Sequence, residues 1–393
     1  MTPLLFILVL CLAQILITSS HIWVVHTLTS NLNLPFWFNK FLIETSVILS
    51  TLFTITSTLC SRWFNRPFSI LYYIASVWMG TFYWLAWAAL ISILLYYLPF
   101  IDSQEHIWFN LILIIAACSL SLYGLHRSYQ TTITRYTVGL PNLPASWISK
   151  KVVLIADIHL GNIRNKNFAK KTAQLISIEN PHAIFIAGDL FDGPPANYSE
   201  LAKIFGDLKT GKGIFYINGN HEEFTSNEPY IQAVRSGHIT PLLDQKLIID
   251  GLQLIGVGYF STRTKQKEEN VLESLRIDPT LPTILLRHVP NHLEIAQKAG
   301  VHLQLSGHVH QGQVFPINYV TRLIFKGFDY GMHRIKSMVQ ITTSGVGTWG
   351  PPQRIGTKSE IVVIELKSLD QNDPAYYPDQ VYKDLGVGKI KST

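Results

Sequence analysis

Five short clusters in the second half of the chain carry residues suited to metal chemistry. They are Asp157-Ile158-His159, Gly188-Asp189-Leu190-Phe191-Asp192, Gly219-Asn220-His221-Glu222, Arg287-His288 and Gly307-His308-Val309-His310. Imidazole and carboxylate together suit divalent Mn, Fe or Zn, whereas all-oxygen sets suit Mg or Ca. One carboxylate can use its two oxygens to bridge two ions about 3.5–4 Å apart. Such a pair lowers the pKa of a shared water and clamps the attacking and leaving oxygens of an in-line phosphoryl displacement. The spacing in Asp157-x-His159 and His308-x-His310 matters, because residues i and i+2 of an extended strand end face the same way.

The surrounding pattern predicts what must position these clusters. Short β-rich apolar runs lie at Lys151–Ala156, His182–Ala187, Gly213–Ile217, Leu252–Val257, Leu281–Leu286, His302–Leu305, Met338–Thr343 and Glu360–Glu365. Helices are expected between some of them, at Asn167–Ile178, Ser199–Leu208 and Asn291–Ala299. This alternation predicts an α/β sheet packed on its faces by helices. Each of the five clusters stands just after one of the runs, at strand carboxyl ends where open α/β sheets place their ligand sites.

The first third of the chain reads differently. The whole sequence is 48% hydrophobic and only 15% charged, with a formal net charge of +6. Ordinary soluble domains carry about 25% charge, so part of this chain is expected in lipid. Four apolar stretches, Pro3–Leu28, Phe41–Cys60, Phe68–Leu98 and Ile107–Leu125, approach or exceed the roughly 20 residues a membrane-crossing helix needs. Trp37, Trp63 and Trp108 stand near their ends, as interfacial aromatics do. The first stretch lacks a basic leader and a small-x-small cleavage pattern, which favours an uncleaved span. Glu44, four residues after Lys40, reads as an interfacial ion pair.

Arg62 and Arg66 fall between spans two and three, and Arg127, Arg135, Lys150 and Lys151 follow span four. The opposite loops offer Lys40 against Asp102 and Glu105, so the basic bias places the C-terminal region in the cytoplasm. The three cysteines, Cys11, Cys60 and Cys118, all lie in apolar stretches, which excludes a thiolate zinc site or cysteine nucleophile from the soluble part. The expected organisation is a transmembrane region with four helices at 1–126, an extended linker at 127–150, a catalytic domain at 151–367 and a polar tail at 368–393.

The ordered set D-x-H, GDxxD, GNH[E], lone H and GHxH resembles the calcineurin-like metallophosphoesterase superfamily over about residues 150–366. Within it the chain looks closest to the membrane-anchored YkuE-like and transmembrane metallophosphoesterase group, on Gly312-Gln313, Tyr330-Gly331 and the run from Gly345 to Pro352 before Arg354. The resemblance implies a four-layer sandwich of two sheets between helices. It implies Asp157, His159 and His310 on one metal, Asn220, His288 and His308 on a second, and Asp189 bridging them. It places His221 just outside the metals, donating to the phosphate or protonating the leaving oxygen. The implied reaction is hydrolysis of a phosphate mono- or diester by a hydroxide activated by two divalent ions (Mn, Fe or Zn).

Taken singly each cluster has a plainer reading. Asp157 or Asp189 could cap a helix, His221 or His288 could be a hydrogen-bonded structural histidine, and Asp192 is expected to be structural. His182, His238, His292, His302 and His333 match no motif, and Arg287 and Arg354 divide evenly between a phosphate contact and a structural salt bridge. Gly345-x-Gly347-x-x-Gly350 fits a dinucleotide fingerprint, but Pro351-Pro352 follow at once and oppose the helix such a fingerprint must open. A glycine-rich loop near the metal rim is expected instead. The anchor points to a membrane-associated substrate, with a phospholipid or a nucleotide-linked lipid as candidates, in a bacterial-type inner or plasma membrane. A nuclease is disfavoured because no dense basic-aromatic strip stands out. A non-catalytic sensor or transporter with a metal-binding regulatory domain is disfavoured by the complete ligand set and the nearly uncharged spans.

Overall fold

The computed structural model describes residues 3–60, 66–99, 102–193, 197–223 and 227–369. Arg62, Trp63 and nearly all of the expected polar tail lie outside them. Four long helices come first: α1 (Pro3–Thr29), α2 (Phe36–Cys60), α3 (Arg66–Tyr96) and α4 (Ser103–Arg127). All four are long and apolar enough to cross a membrane, with little of their surface buried inside the protein. A helix satisfies its own backbone hydrogen bonds, which is what hydrocarbon demands of a spanning segment. The buried positions combine an apolar cluster of Val24, Leu28, Trp84 and alanines with polar side chains that knit the bundle together. Ser92 donates to Asn110 at 2.7 Å, and Thr81 and Ser121 pair at 2.7 Å. Lys40 and Glu44 form the expected i, i+4 ion pair, with 3.7 Å between charged atoms.

The rest of the chain alternates strand and helix. It runs β1 (Thr131–Pro141), β2 (Lys151–Ile155), β3 (Leu160–Gly161), α5 (Lys166–Ile178), β4 (Ala183–Ala187), β5 (Phe191–Asp192), α6 (Tyr198–Gly206) and β6 (Ile214–Ile217). Then come α7 (Asn220–Glu223), α8 (Glu228–Ser236), β7 (Thr240–Pro241), β8 (Gln245–Ile249), β9 (Leu252–Val257), α9 (Lys265–Ser274), β10 (Thr283–Arg287) and α10 (Leu293–Lys298). The last elements are β11 (Leu303–Ser306), α11 (Ile317–Ile324), β12 (Gly331–Ile335), β13 (Met338–Thr342) and β14 (Ser359–Leu369). Two six-stranded mixed sheets result, ordered β1-β14-β2-β4-β6-β7 and β12-β13-β11-β10-β9-β8.

The strand sequences explain the layering. In β2, Val152 and Leu154 enter the core between the sheets, while Val153 and Ile155 enter the core under α5 and α6. β4 divides the same way, with Phe185 between the sheets and Ile184 and Ile186 on the outer face. Strands buried on both faces read as unbroken apolar runs, which is why these were visible in the sequence. α9 and α10 cover the outer face of the second sheet. The α/β domain is therefore four layers, helices outside and two sheets within.

Residues 127–150, expected as an extended linker, contain a sheet strand. β1 pairs in parallel with β14 along all eleven of its residues, from Thr131 with Ser359 to Pro141 with Leu369. Its polar Thr-Thr-Ile-Thr-Arg-Tyr run is only half buried because β1 is an edge strand. The chain thus passes from α4 into the sheet within a few residues.

The two halves meet along α3. Ser69 donates to Asn162 at 2.6 Å, and Asn162 donates to the Cys60 carbonyl at 3.1 Å. Gln353 lies deeper in the bundle. It accepts from Trp84 Nε1 at 3.1 Å and donates to Ser121 at 2.6 Å. Gly80 faces Gln353 so closely that a Cβ there would overlap its amide. The Arg354 backbone N–H donates to the Gly124 carbonyl of α4 at 2.9 Å.

Candidate metal centre

All five clusters converge on one rim. Asp157 and His159 follow β2, Asp189 follows β4, Asn220 and His221 follow β6, His288 follows β10, and His308 and His310 follow β11. The strands are parallel neighbours within each sheet, so their carboxyl ends share a side. Asp157 and His159 reach the rim by a turn instead of the extended i, i+2 geometry expected for them. β2 stops at Ile155, and both residues adopt left-handed backbone conformations, with φ of 54° and 53°. The Asp157 and His159 N–H groups donate to the carbonyls of Gly188 and Asp189 at 3.0 and 3.1 Å, which fixes this turn against the neighbouring loop. Asp189, His308 and His310 are also left-handed. For residues with a Cβ such conformations cost of order 1–3 kcal/mol each and persist where the surroundings over-determine them, most often at functional sites.

Three overlapping groups of side chains could each hold a cation. Asp157, His159 and His310 form one; Asp189, His288 and His308 form another; His159, Asp189 and His221 form the third. His159 Nε2 and His310 Nε2 face each other at 3.0 Å, and His310 Nε2 is 3.8 Å from Asp157. Asp189 Oδ2 stands 3.2 Å from His288 Nε2 and 3.8 Å from His159 Nε2, between the two groups. The Asn220 amide oxygen lies 2.8 Å from His308 Nδ1 and 3.2 Å from His288 Nε2. The fold therefore brings all seven candidate ligands, and His221 beside them, to one place.

The donor set fits divalent ions. Burial, aided by neighbouring imidazoles, lowers His159 to about 4 and His308 to about 3, and takes His310 well below its ordinary range. Those rings are neutral and can offer a nitrogen lone pair. Burial pushes the Asp157 carboxyl up, although His288 opposes the shift. Buried carboxylates and neutral imidazoles aimed at a shared space are the chemistry of a Mn, Fe or Zn site. His288 Nδ1 lies 2.7 Å from the Ala187 carbonyl, a contact that fixes the ring while Nε2 faces the cluster.

The glycines of the motifs make this convergence possible. A Cβ at Gly219 would overlap the Asp189 carboxylate, and one at Gly188, with φ of 92°, would overlap His288 Nδ1.

Three residues have roles the sequence did not reveal. Asp192, expected to be structural, contacts His221 Nδ1 at 2.9 Å. Burial works against a protonated His221, but the Asp192 hydrogen bond and the Asp189 and Asp192 charges together outweigh it and raise the ring to about 9. The second aspartate of GDxxD was the available signal. Glu222 accepts from the N–H groups of Asp189, Phe191 and Gly219 at 3.1, 3.0 and 2.8 Å and so pins two of the loops together.

Arg354 is fully buried and donates to the carbonyls of His310, Ser344 and Gly347 at 2.8, 2.6 and 2.7 Å. It is a clamp on the loops behind His310, not a phosphate ligand. Arg287 is likewise structural, paired with Glu268 at 2.6 Å in a buried bridge. His292, the nearest unmatched histidine, precedes α10 and contacts Glu268 at 3.0 Å. The glycine-rich run at 345–350 closes over the rim as expected, with Gly345 and Gly347 packed against Asp157 and Ile158.

Residues 150–312, which hold every one of these clusters, match the family model of the calcineurin-like phosphoesterases. The chain carries a calcineurin-like phosphoesterase domain. Relatives extend the likeness. An uncharacterised metallophosphoesterase of Campylobacter jejuni is 28% identical over 264 residues, covering 66% of this chain and 70% of its own length. One from Helicobacter pylori is 29% identical, over 56% of this chain and 60% of the relative. A transmembrane protein with metallophosphoesterase domain from Danio rerio is 29% identical, over 65% of this chain and 62% of the relative. Part of each relative's length therefore lies outside the match. The chain thus joins four helices long and apolar enough to cross a membrane to a region similar to the calcineurin-like phosphoesterases, a likeness that points to divalent metal ions.

Proposed function

We propose that the protein hydrolyses a phosphate mono- or diester presented at the membrane, with two divalent ions held at the rim of the sheets. Asp157, His159 and His310 would hold one ion and Asn220, His288 and His308 the other, with Asp189 between them. Mn, Fe and Zn all suit this donor set. Bound there, the ions would polarise the phosphoryl oxygens and make a hydroxide available at neutral pH.

The chain's own residues account for the remaining work. Hydrolysis joins a water oxygen to phosphorus and breaks the bond to the leaving oxygen, and one proton of the water passes to solvent. His221, kept protonated by Asp192, delivers its proton to the leaving oxygen and is then reprotonated from solvent. Asn220 and His308 border the same space. The observation that supports this reading is the position of Asp189, whose carboxylate lies 3.2 Å from His288 and 3.8 Å from His159, one residue of each proposed ligand set.

The anchor suggests a lipid substrate, a phospholipid or a nucleotide-linked lipid, met at the cytoplasmic face of a bacterial-type inner membrane. Residues 1–126 would serve as anchor, 127–150 as the passage into the sheet, and 151–367 as the catalytic unit. The test is turnover by the full chain in detergent, stripped of metal and then resupplied with Mn²⁺ or Zn²⁺. p-Nitrophenyl phosphate and bis-p-nitrophenyl phosphate would be compared, with Asp189→Asn alongside. Metal-dependent turnover absent from Asp189→Asn is expected. Turnover that survives both chelation and Asp189→Asn would sink the reading.

A further inference from the structure

The cluster of candidate ligands forms the floor of a cavity of about 880 Å³. Ligand pockets run from ~300 to ~1,000 Å³, so this space far exceeds what a phosphate group needs. Its floor includes Asp189, Asn220, His221 and His308, while its walls combine residues of the membrane half and of α11 with Val314, Trp349 and Pro351. Met79, Tyr83 and Ala86 of α3 form one side, and Ile317 and Phe325 at the ends of α11 form the other. Helices rise about 1.5 Å per residue, which puts Met79 about 20 Å along α3 from Arg66.

The α11 helix shows the same preference for lipid. None of its eight residues is buried, and Tyr319, Val320, Leu323 and Ile324 are 58%, 51%, 79% and 66% exposed. A contiguous apolar face of this kind on a short helix beside spanning helices belongs in the acyl boundary, not in water. The Tyr83 hydroxyl donates to the Phe315 carbonyl at 2.9 Å and fastens the segment leading into α11 to α3. One end of the cavity is therefore polar and lined by imidazole and carboxylate, and its walls are a spanning helix and a lipid-facing one.

We propose that this cavity receives the apolar chain of the substrate directly from the bilayer. On that assignment the substrate is a phosphoester amphiphile with at least one long hydrocarbon chain. Its phosphorus sits over Asn220 and His221, and its chain lies between α3 and α11. This rests on the hydrolytic reading above and names the substrate class for the same site. A free nucleotide or sugar phosphate would leave the apolar walls uncovered. A chain seated there fixes the ester over the floor, and such remote contacts raise turnover as well as affinity.

The test uses the full chain in non-ionic detergent with Mn²⁺, assayed on methyl and hexadecyl p-nitrophenyl phosphate at a constant detergent-to-substrate ratio. The hexadecyl ester is expected to show kcat/KM at least about tenfold above the methyl ester, with part of the gain in kcat. Ala86→Trp and Met79→Trp, which fill the cavity at two levels, should pull that ratio towards one. A hexadecyl phosphate with a diazirine at its chain end, added to metal-stripped protein, should label peptides of α3 or α11, a readout independent of turnover.

Equal kcat/KM for both esters in a protein that hydrolyses them overturns the chain site and leaves hydrolysis standing. Labelling confined to other helices overturns the chain site as well. Labelling of α3 or α11 with no ester hydrolysed under Mn²⁺ or Zn²⁺ overturns the hydrolytic reading and supports the chain site.

Discussion

The His221 ring meets Asp192 at 2.9 Å while the His221 backbone N–H donates to Asp189, also at 2.9 Å. One residue is thus tied at both ends to carboxylates just after β4, Asp189 in the loop and Asp192 in β5. A histidine held this way keeps its proton and its aim together.

Asp192→Asn should lower kcat by about 10- to 100-fold with little change in bound metal, as expected when a partner that orients a working group is lost. His221→Ala should cost more, about 10²- to 10⁴-fold, the usual range for a positioned acid. The loss should be smaller for p-nitrophenyl esters, whose leaving group needs no proton, than for alkyl esters. Equal losses on both ester types would remove the proton-donor role.

Asp189→Asn should reduce metal content from two ions per chain to one or fewer, read by elemental analysis of the purified full chain. EDTA should abolish turnover of the unaltered protein and added Mn²⁺ or Zn²⁺ should restore it. Two ions retained in Asp189→Asn would show that this carboxylate is not shared.

Gly219→Ala tests the close approach behind the site. Its Cβ would overlap the Asp189 carboxylate, so the side chain between the two ligand groups must move. A misplacement of about 1 Å can cost of order 10²-fold in rate, and that is the expected loss in kcat. Metal content should fall in parallel, and thermal unfolding should move to lower temperature because the Cβ also meets the Asp189 backbone.

Glu268→Ala should destabilise the α/β domain by about 3–5 kcal/mol, because it leaves the fully buried Arg287 guanidinium without its partner. The double variant Glu268→Ala with Arg287→Met should recover much of the loss. Thermal unfolding in detergent checks both. An equally unstable double variant would mean that packing, not the stranded charge, sets the cost.

Much of this architecture was legible in the sequence, for identifiable reasons. The four spans stand out because lipid tolerates little but apolar side chains, and each helix begins and ends within a few residues of its expected span. Strands such as β2 and β4 were visible because both of their faces are buried. The candidate ligands stood out because metal chemistry restricts residue types and spacing severely.

What escaped notice depends on partners distant in the chain. β1 looked like a linker because its half-polar run becomes a strand only by pairing with β14, more than 200 residues away. α11 gave no core-facing signal because its apolar side chains face outward. The left-handed turn at Asp157 and His159 is set by carbonyls of the neighbouring loop, which no local pattern announces. Asp192 read as structural and Arg354 as open for the same reason: a carboxylate or guanidinium reveals its role only through what it touches.

Gln353 and Arg354 are adjacent in the chain, yet one is seated on Trp84 and Ser121 while the other grips the loops behind His310. The two halves therefore share one continuous set of contacts. A recombination event that moved the α/β half onto a different anchor would lose the seat for Gln353 unless Gly80, Trp84 and Ser121 travelled with it. Descendants of this chain should therefore vary these positions together, and lineages that discarded the anchor should have rewritten the segment before Arg354.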